Sequence, residues 1–386
     1  MAKIKHHSLT GRITPDLMLL AFRNVRRNRG AAGIDRESID AFESNLDDNL
    51  LALMRRLKDG SYKPLPLRRV HIPKGPGQTR PLGIPAVRDR VAQEVVRLIL
   101  SPLFERLFHD DSYGFRPNRN CHQAVEKVLE LHRQGYTHVL DADIKGFFDN
   151  LPHQVIMAAV SAEVADGNIL DLIERFLKAG VMEDGVFHPT TGGTPQGGVI
   201  SPLLANIVLN SLDWQLHNAS YCFVRYADDF VVLCRSEAAV QEAHVLVQTH
   251  LTSLGLTLSA EKTKTTKFRD GFAFLGFEIS AWSVGMRAKS VEKFKSKVRE
   301  LTPRHHNLDA TVIKKLNSVI RGTANYFATR FSSVGDLFRG LDRWIRMRIR
   351  CMKYKRKSRA DNGRFRLANF RRVGLLFLTE LRPVPV

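Results

Sequence analysis

Cysteine is scarce in this chain: four residues, Cys121, Cys222, Cys234 and Cys351, among 386, and none is spaced as CxxC. That excludes a disulfide framework and a cysteine-rich zinc site, and it fits a reducing cytosol. No run of ~18 uncharged apolar residues occurs, the length a membrane-crossing helix requires. The start, Met-Ala-Lys-Ile-Lys-His-His, lacks the apolar core of a secretory signal. No internal repeat or long low-complexity tract is visible. Acidic residues are outnumbered, 39 against 59 Lys and Arg, which leaves a formal net charge of +20. An excess of that size points to a polyanion, most often nucleic acid, without saying which one. Hydrophobic residues make up 44% and charged residues 25% of the chain, enough to bury a core. The length implies two or three subdomains rather than one.

Periodicity places helices over Pro15–Leu57, broken at Arg29-Gly30-Ala31-Ala32-Gly33, and over Val87–Phe108, Cys121–His132, Gln154–Lys178, Ser201–Leu216 and Glu237–Leu254. Tyr62–Lys74 carries three prolines and reads as extended, with basic side chains presented. His138–Ile144 and Phe272–Ile279 read as strands. Tyr221–Cys234 reads as a hairpin of two β-prone runs around a polar pair. Beyond residue 290 the sequence turns helical, basic and strand-poor.

Asp143 closes one apolar run, and Asp228 and Asp229 are placed at the hairpin tip. If those strands are neighbours in one sheet, three carboxylates meet at its edge. Such a cluster repels itself unless cations neutralise it, and hard oxygen ligands select Mg²⁺ or Mn²⁺. Two ions held ~3.5–4 Å apart form the clamp of nucleotidyl transfer. An Asp-Asp pair at a hairpin tip is also ordinary turn chemistry. Asp141 shares the strand face of Asp143, so alternation does not choose between them.

The surrounding motifs do choose. Leu140-Asp141-Ala142-Asp143-Ile144-Lys145-Gly146-Phe147-Phe148-Asp149-Asn150, then Gly193-Thr194-Pro195-Gln196-Gly197-Gly198-Val199-Ile200-Ser201-Pro202, then Tyr226-Ala227-Asp228-Asp229 stand in one ordered set. Together with Arg80-Pro81-Leu82-Gly83-Ile84-Pro85, Ser112-Tyr113-Gly114-Phe115-Arg116-Pro117 and Phe274-Leu275-Gly276-Phe277, the set resembles reverse transcriptases of the group II intron type. Leu316–Phe327 resembles their maturase, or X, domain. The resemblance implies an α+β right-hand polymerase: an N-terminal extension and fingers over 1–135, a palm over 136–290 with fingers elements interleaved, and a helical thumb, the maturase X domain, over 291–386. It implies two Mg²⁺ ions, with Mn²⁺ as the alternative, held by Asp143 and Asp228, with Asp229 completing the box.

Phe148 falls five residues after Asp143, where the family places the residue under the incoming sugar. A ring there would clash with a 2′-OH and favour dNTPs. The competing reading is a core aromatic beside Phe147. The resemblance assigns Gln196 to the nucleotide, Lys74 and Arg80 to its triphosphate, and Arg116 to a template or nucleotide contact. Lys262 is implied near the primer end.

From Arg343 to Arg372 there are 13 Lys or Arg against the single acid Asp361. Arg346, Arg350 and Lys353 mix with aromatics at near-helical spacing, a surface suited to RNA phosphates and bases. A solvated helical face is the plain alternative. The partners implied are an RNA template, a DNA or RNA primer, dNTPs and the group II intron RNA, with no membrane. The implied location is cytoplasmic, associated with the nucleoid when on DNA. No His-Asn-His arrangement follows the X-like segment, so the compact, endonuclease-free form is expected. Two alternatives share the motifs: a domesticated enzyme in host defence or repair, and a non-catalytic RNA-binding maturase. An RNA-dependent RNA polymerase is disfavoured by Phe148.

Overall fold

In the computed structural model, which describes residues 5–75, 78–194 and 197–381, helix Val87–Glu105 is buried around most of its circumference. Its sequence explains why: Val87, Val91, Val95, Val96, Ile99 and Leu100 leave no purely polar face, and a helix that is apolar nearly all round belongs inside a core. The few polar side chains among them are fastened to neighbouring segments. Asp89 accepts from the Tyr62 hydroxyl at 2.5 Å and from Leu65 N at 3.0 Å. Gln93 Oε1 accepts from Val199 N at 2.8 Å, and Glu94 accepts from Asn24 Nδ2 at 2.8 Å. Buried polar groups persist only when bonded in this way.

Among the described residues the strands run in chain order β1 (Leu67–Gly75), β2 (Gln78–Ile84), β3 (His138–Asp143), β4 (Val181–Glu183), β5 (Val186–His188), β6 (Cys222–Tyr226), β7 (Asp229–Cys234), β8 (Lys264–Lys267), β9 (Phe272–Phe274), β10 (Phe277–Ile279) and β11 (Val284–Met286). The contacts divide the chain into two units. One is built from the chain up to Ala124 and from Ala142 to Lys264. The other is built from Val125–Asp141 and the chain from Thr265 onward.

In the first unit, helix Pro15–Arg27, capped by Thr14 and opened by its proline, packs on Val87–Glu105. A sheet of order β2-β1-β4-β5 pairs β1 and β2 antiparallel, with Ile72 opposite Arg80, and β1 and β4 parallel. The hairpin β6–β7 pairs antiparallel from Cys222 opposite Leu233 to Tyr226 opposite Asp229. Helix Ser201–Asn218 supports the hairpin with buried Leu204, Val208 and Leu212.

In the second unit β11-β10-β9 form an antiparallel sheet. Phe277 stacks on Tyr326 and meets Phe327 edge-on, and Tyr326 Oη donates to Leu275 O at 2.8 Å. That pins the sheet to helix Ala310–Phe327. Helices Ala288–Leu301 and Gly335–Tyr354 complete the bundle. Buried Asp342 ties the Leu378–Leu381 turn to it by accepting from Leu378 N, Thr379 N and Thr379 Oγ1.

Two sequence expectations change and one hairpin is added. The single helix read over Gln154–Lys178 is two, His153–Ser161 and Gly167–Leu177, because Asp166 caps the second by accepting from Ile169 N at 3.1 Å. The strand read over Phe272–Ile279 is a hairpin, β9–β10, turning at Leu275-Gly276 with positive φ at both. A further hairpin, β4–β5, turns at Asp184-Gly185, again with positive φ at both. Asp-Gly between apolar runs is the signal that announces it in the sequence.

Candidate active site

The end of β3 is held against the chain segment that follows helix Glu237–Ser253. Ser259 N donates to Asp143 O at 2.8 Å, Lys145 N donates to Thr257 O at 2.9 Å, and Ile144 bridges to Leu258. This ladder brings Lys262 onto Asp143 from 119 residues away: its Nζ donates to the two carboxylate oxygens at 3.1 and 2.9 Å. Asp143 N donates to Thr263 Oγ1 at 3.4 Å. These bonds single out Asp143 rather than Asp141 as the carboxylate presented beside Lys262.

In the hairpin, Tyr226 pairs with Asp229, so the two turn residues are Ala227 and Asp228. The tip therefore lies one position earlier than the Asp228-Asp229 pair expected from the sequence. Ala227 takes φ +61°, uncommon for a residue with a Cβ. Asp228 is half-buried. Burial raises its carboxyl pKa above the ordinary value, its own backbone N–H lowers it, the charge of Asp143 raises it further, and Arg80 and Lys262 lower it. The arrangement is thus two carboxylates from separate segments, one destabilised by burial and by the other's charge, with a lysine ammonium already seated on the first. Such a donor set fits hard divalent cations, and the ammonium marks where positive charge is favoured. Asp229 opens β7 opposite Tyr226. Among the described residues no set of three His, Cys, Asp or Glu is arranged to hold a metal.

The two phenylalanines of helix Phe147–Asn150 separate as their adjacency requires: Phe147 is buried and Phe148 half-buried, with ring centroids 5.3 Å apart. Phe148 lines a cavity of about 200 Å³ together with Arg69, Pro81, Gly83, Gly193 and Thr194. Thr194 Oγ1 and Arg69 Nε are buried without a hydrogen-bond partner. Unpaired buried polar atoms are costly, which makes this cavity fit for a polar ligand. Neither residue stands out in the sequence; Thr194 lies inside the Gly193–Pro202 motif, the one available signal. The loop that carries the motif is pressed onto β2. A Cβ at Gly197, where φ is +112°, would lie 2.1 Å from Gly83 O, so only glycine fits.

Arg80 lies exposed on β2, and its charge is felt at Asp228. The Lys74 side chain lies outside the described residues, as does Gln196. Arg116, expected as a template or nucleotide contact, is largely enclosed by the fold. Its side chain is 3% exposed, and its guanidinium donates to Glu105 Oε1, Glu105 O, His109 O and Ser112 O while lying over the Phe108 ring. Its donors are spent on the fold of the Tyr113–Pro117 turn. In the C-terminal helix Arg346 lies over Phe377, Arg350 over Phe370, and Lys353 over Phe365. Arg350 Nε also donates to Phe365 O at 3.0 Å. Arg346 and Arg350 are half-buried and Lys353 is exposed.

Residues 72–279 match the model of the family described as reverse transcriptase (RNA-dependent DNA polymerase), and residues 291–369 match the group II intron, maturase-specific domain. Protein YkfC of Escherichia coli (strain K12) is 35% identical over 311 residues, covering 69% of this chain and 80% of that protein. The group II intron-encoded protein LtrA of Lactococcus lactis subsp. cremoris is 41% identical over 204 residues, 52% of this chain and 33% of the relative. An uncharacterized 91 kDa protein in the cob intron of Schizosaccharomyces pombe is 27% identical over 402 residues, 81% of this chain and 49% of that protein. The matches thus span most of the first relative but half or less of the other two. No helix among the described residues is long and apolar enough to cross a membrane.

Proposed function

This chain belongs to the group II intron-type reverse transcriptases, and from that membership and the geometry of its site we propose that it is a working RNA-directed DNA polymerase. The observation that carries the proposal is the meeting of Asp143 and Asp228 beside Lys262 and Arg80. Asp143 and Asp228 hold the divalent ions, Mg²⁺ in the first place, and Asp229 supports them from the start of β7. The ions, when bound, supply activation of the primer 3′-OH and charge neutralisation at the pyrophosphate.

The residues around them bind and orient. Arg80, able to grip two oxygens at once, and Lys74 take the triphosphate. Phe148 stands under the sugar of the incoming dNTP and rejects a 2′-OH by its bulk. Thr194 and Arg69 offer the unpaired donors of the same cavity to the nucleotide, beside Gln196. A larger cavity of about 840 Å³, walled by Asn24–Ala31 positions, helix Val87–Glu105 and Gly197–Val199, carries exposed Phe115 at its rim and suits a single RNA strand. We assign 1–135 to the N-terminal extension and fingers, 136–290 to the palm and 291–386 to the thumb. The maturase-specific match over 291–369 supports a second role, binding the parent intron RNA for splicing and then priming at a DNA target.

The test is extension of an annealed primer on RNA and DNA templates with dNTPs or rNTPs. Extension on RNA with dNTPs is expected, abolished by Asp143→Ala or Asp228→Ala while RNA affinity stays within a few-fold. Near-wild-type extension by either variant removes the metal assignment. RNA binding and splicing assistance without any extension by the wild type makes the chain a maturase only.

A further inference from the structure

Beneath the turn that carries Asp228 lies an ion pair sealed from solvent: Arg225 and Asp213 are both 0% exposed. Arg225 Nε donates to Asp213 Oδ1 at 2.7 Å and Nη2 to Oδ2 at 2.5 Å, a two-pronged grip. The remaining arm, Nη1, donates to Asn206 Oδ1 and to Ala227 O, each at 2.9 Å. Asn206 Nδ2 in turn donates to Gly114 O at 2.7 Å. Gly114 presses on the other side of the turn: a Cβ there would lie 2.3 Å from Ala227 N. The backbone of Arg225 is pinned as well, donating from N to Asp111 O at 2.9 Å and accepting at O from Tyr113 N at 2.8 Å.

A sealed ion pair is weak evidence for stability, because apolar residues of the same volume fill such a space as well or better. What apolar residues do not supply is a donor for the Ala227 carbonyl. Ala227 holds φ +61°, a conformation that persists in a residue with a Cβ only where the surroundings impose it. Asp228 is the next residue, so the peptide that Arg225 grips sets the direction of its carboxylate. We propose that Arg225, locked by Asp213 and Asn206, is a positioning residue that clamps Ala227 against Gly114 and so aims the Asp228 carboxylate at the divalent ion. The proposal rests on the reading of Asp228 as a metal ligand.

Arg225→Lys keeps the charge facing Asp213 but loses the fork that also reaches Asn206 and Ala227 O. Gly114→Ala leaves the ion pair whole and displaces the turn from the opposite side. Mg²⁺ binding to the full-length protein is measured by titration calorimetry, amide exchange by mass spectrometry over 222–234, primer-template affinity by filter binding, and the rate by single-turnover extension. Both variants are expected to bind Mg²⁺ about ten-fold more weakly and to exchange faster at Ala227–Asp229. Primer-template affinity should hold within about two-fold, and the rate should fall about ten-fold or more, recovering as Mg²⁺ is raised. Wild-type Mg²⁺ affinity in the folded fraction of both variants overturns the positioning role and leaves the pair as packing, even if melting temperatures drop. Asp228→Ala separates the two ideas. If it too binds Mg²⁺ as wild type, the metal reading itself fails; if it alone loses Mg²⁺, only the clamp fails.

Discussion

Lys262 Nζ bridges both carboxylate oxygens of Asp143, at 3.1 and 2.9 Å, although the two residues stand 119 positions apart. The lysine side chain is 60% exposed and the aspartate 31%, so the contact is a solvent-screened pair worth about 0.2–1 kcal/mol. Its position gives it more consequence than its energy. A divalent ion approaching Asp143 must share the carboxylate with this ammonium or displace it. Lys262→Ala is therefore expected to tighten Mg²⁺ binding to the nucleic-acid-free protein, by up to about five-fold at the upper end of that energy range. Titration calorimetry checks it, and weaker binding in the variant would show that the lysine organises the carboxylate instead of competing for it.

Phe148 and Phe147 are adjacent, and only Phe147 is spent on the core. Phe148→Ala is expected to open the cavity shared with Thr194 and Gly83 and to let rNTPs compete with dNTPs. The kcat/KM ratio of a dNTP to its matching rNTP should fall by about ten-fold or more, the discrimination of one steric contact worth 1–3 kcal/mol. An unchanged ratio with activity retained returns Phe148 to packing.

How much of this was legible in the sequence follows chain distance. The ordered motifs carried the family, and short-range patterns carried the helices: Val87–Glu105 and Glu237–Ser253 fall within a few residues of the expected spans. Tertiary partners were not legible. Arg116 reads as a free cation in Gly-Phe-Arg-Pro, yet Glu105 and two backbone carbonyls hold it inside. Arg225 reads as a strand residue ahead of Tyr226, and nothing local announces Asp213 beneath it. Nothing local marks Asp166 as a cap, because apolar periodicity runs on across it.

A buried imidazole gives the fold a pH limit. Asp111 N donates to His109 Nδ1 at 3.0 Å, so that nitrogen is an acceptor and the ring is neutral, with Nε2 3.1 Å from His217 Nδ1. Burial lowers the His109 pKa below its ordinary value, against the pull of Asp111 and Asp213. With the folded pKa depressed, the unfolded chain takes up the proton first. The stability this group contributes is full above the unfolded value, about 6.5, and is lost as pH falls from there toward the folded pKa. Melting temperature is expected to drop between pH 7.5 and the acid side of that value, and His109→Phe should flatten the drop. A profile identical in wild type and variant would assign it to other groups.

The C-terminal cations divide by what they touch. Arg350 lies over Phe370, donates to Phe365 O and is half-buried; burial lowers its pKa, as does Arg346 beside it. Lys353 lies over Phe365 but is exposed, on the same helix face, while Arg356 nearby pairs with Asp361. Each phosphate contact releases counterions and contributes roughly 0.7–0.9 to the slope of log K against log salt. Lys353→Gln is expected to flatten that slope for structured RNA by about one contact and, losing only an exposed ring contact, to lower the melting temperature by no more than about 1 °C. Arg350→Gln is expected to do the reverse in larger part. It loses a ring contact and a hydrogen bond, together about 1–2 kcal/mol, and so lowers the melting temperature by about 1–3 °C. The single-turnover rate on a pre-bound primer-template should stay near wild type in both, since neither residue belongs to the carboxylate site. A wild-type salt slope in Lys353→Gln would show that this face is merely solvated, and a lost chemical step with affinity intact would place it in the active site.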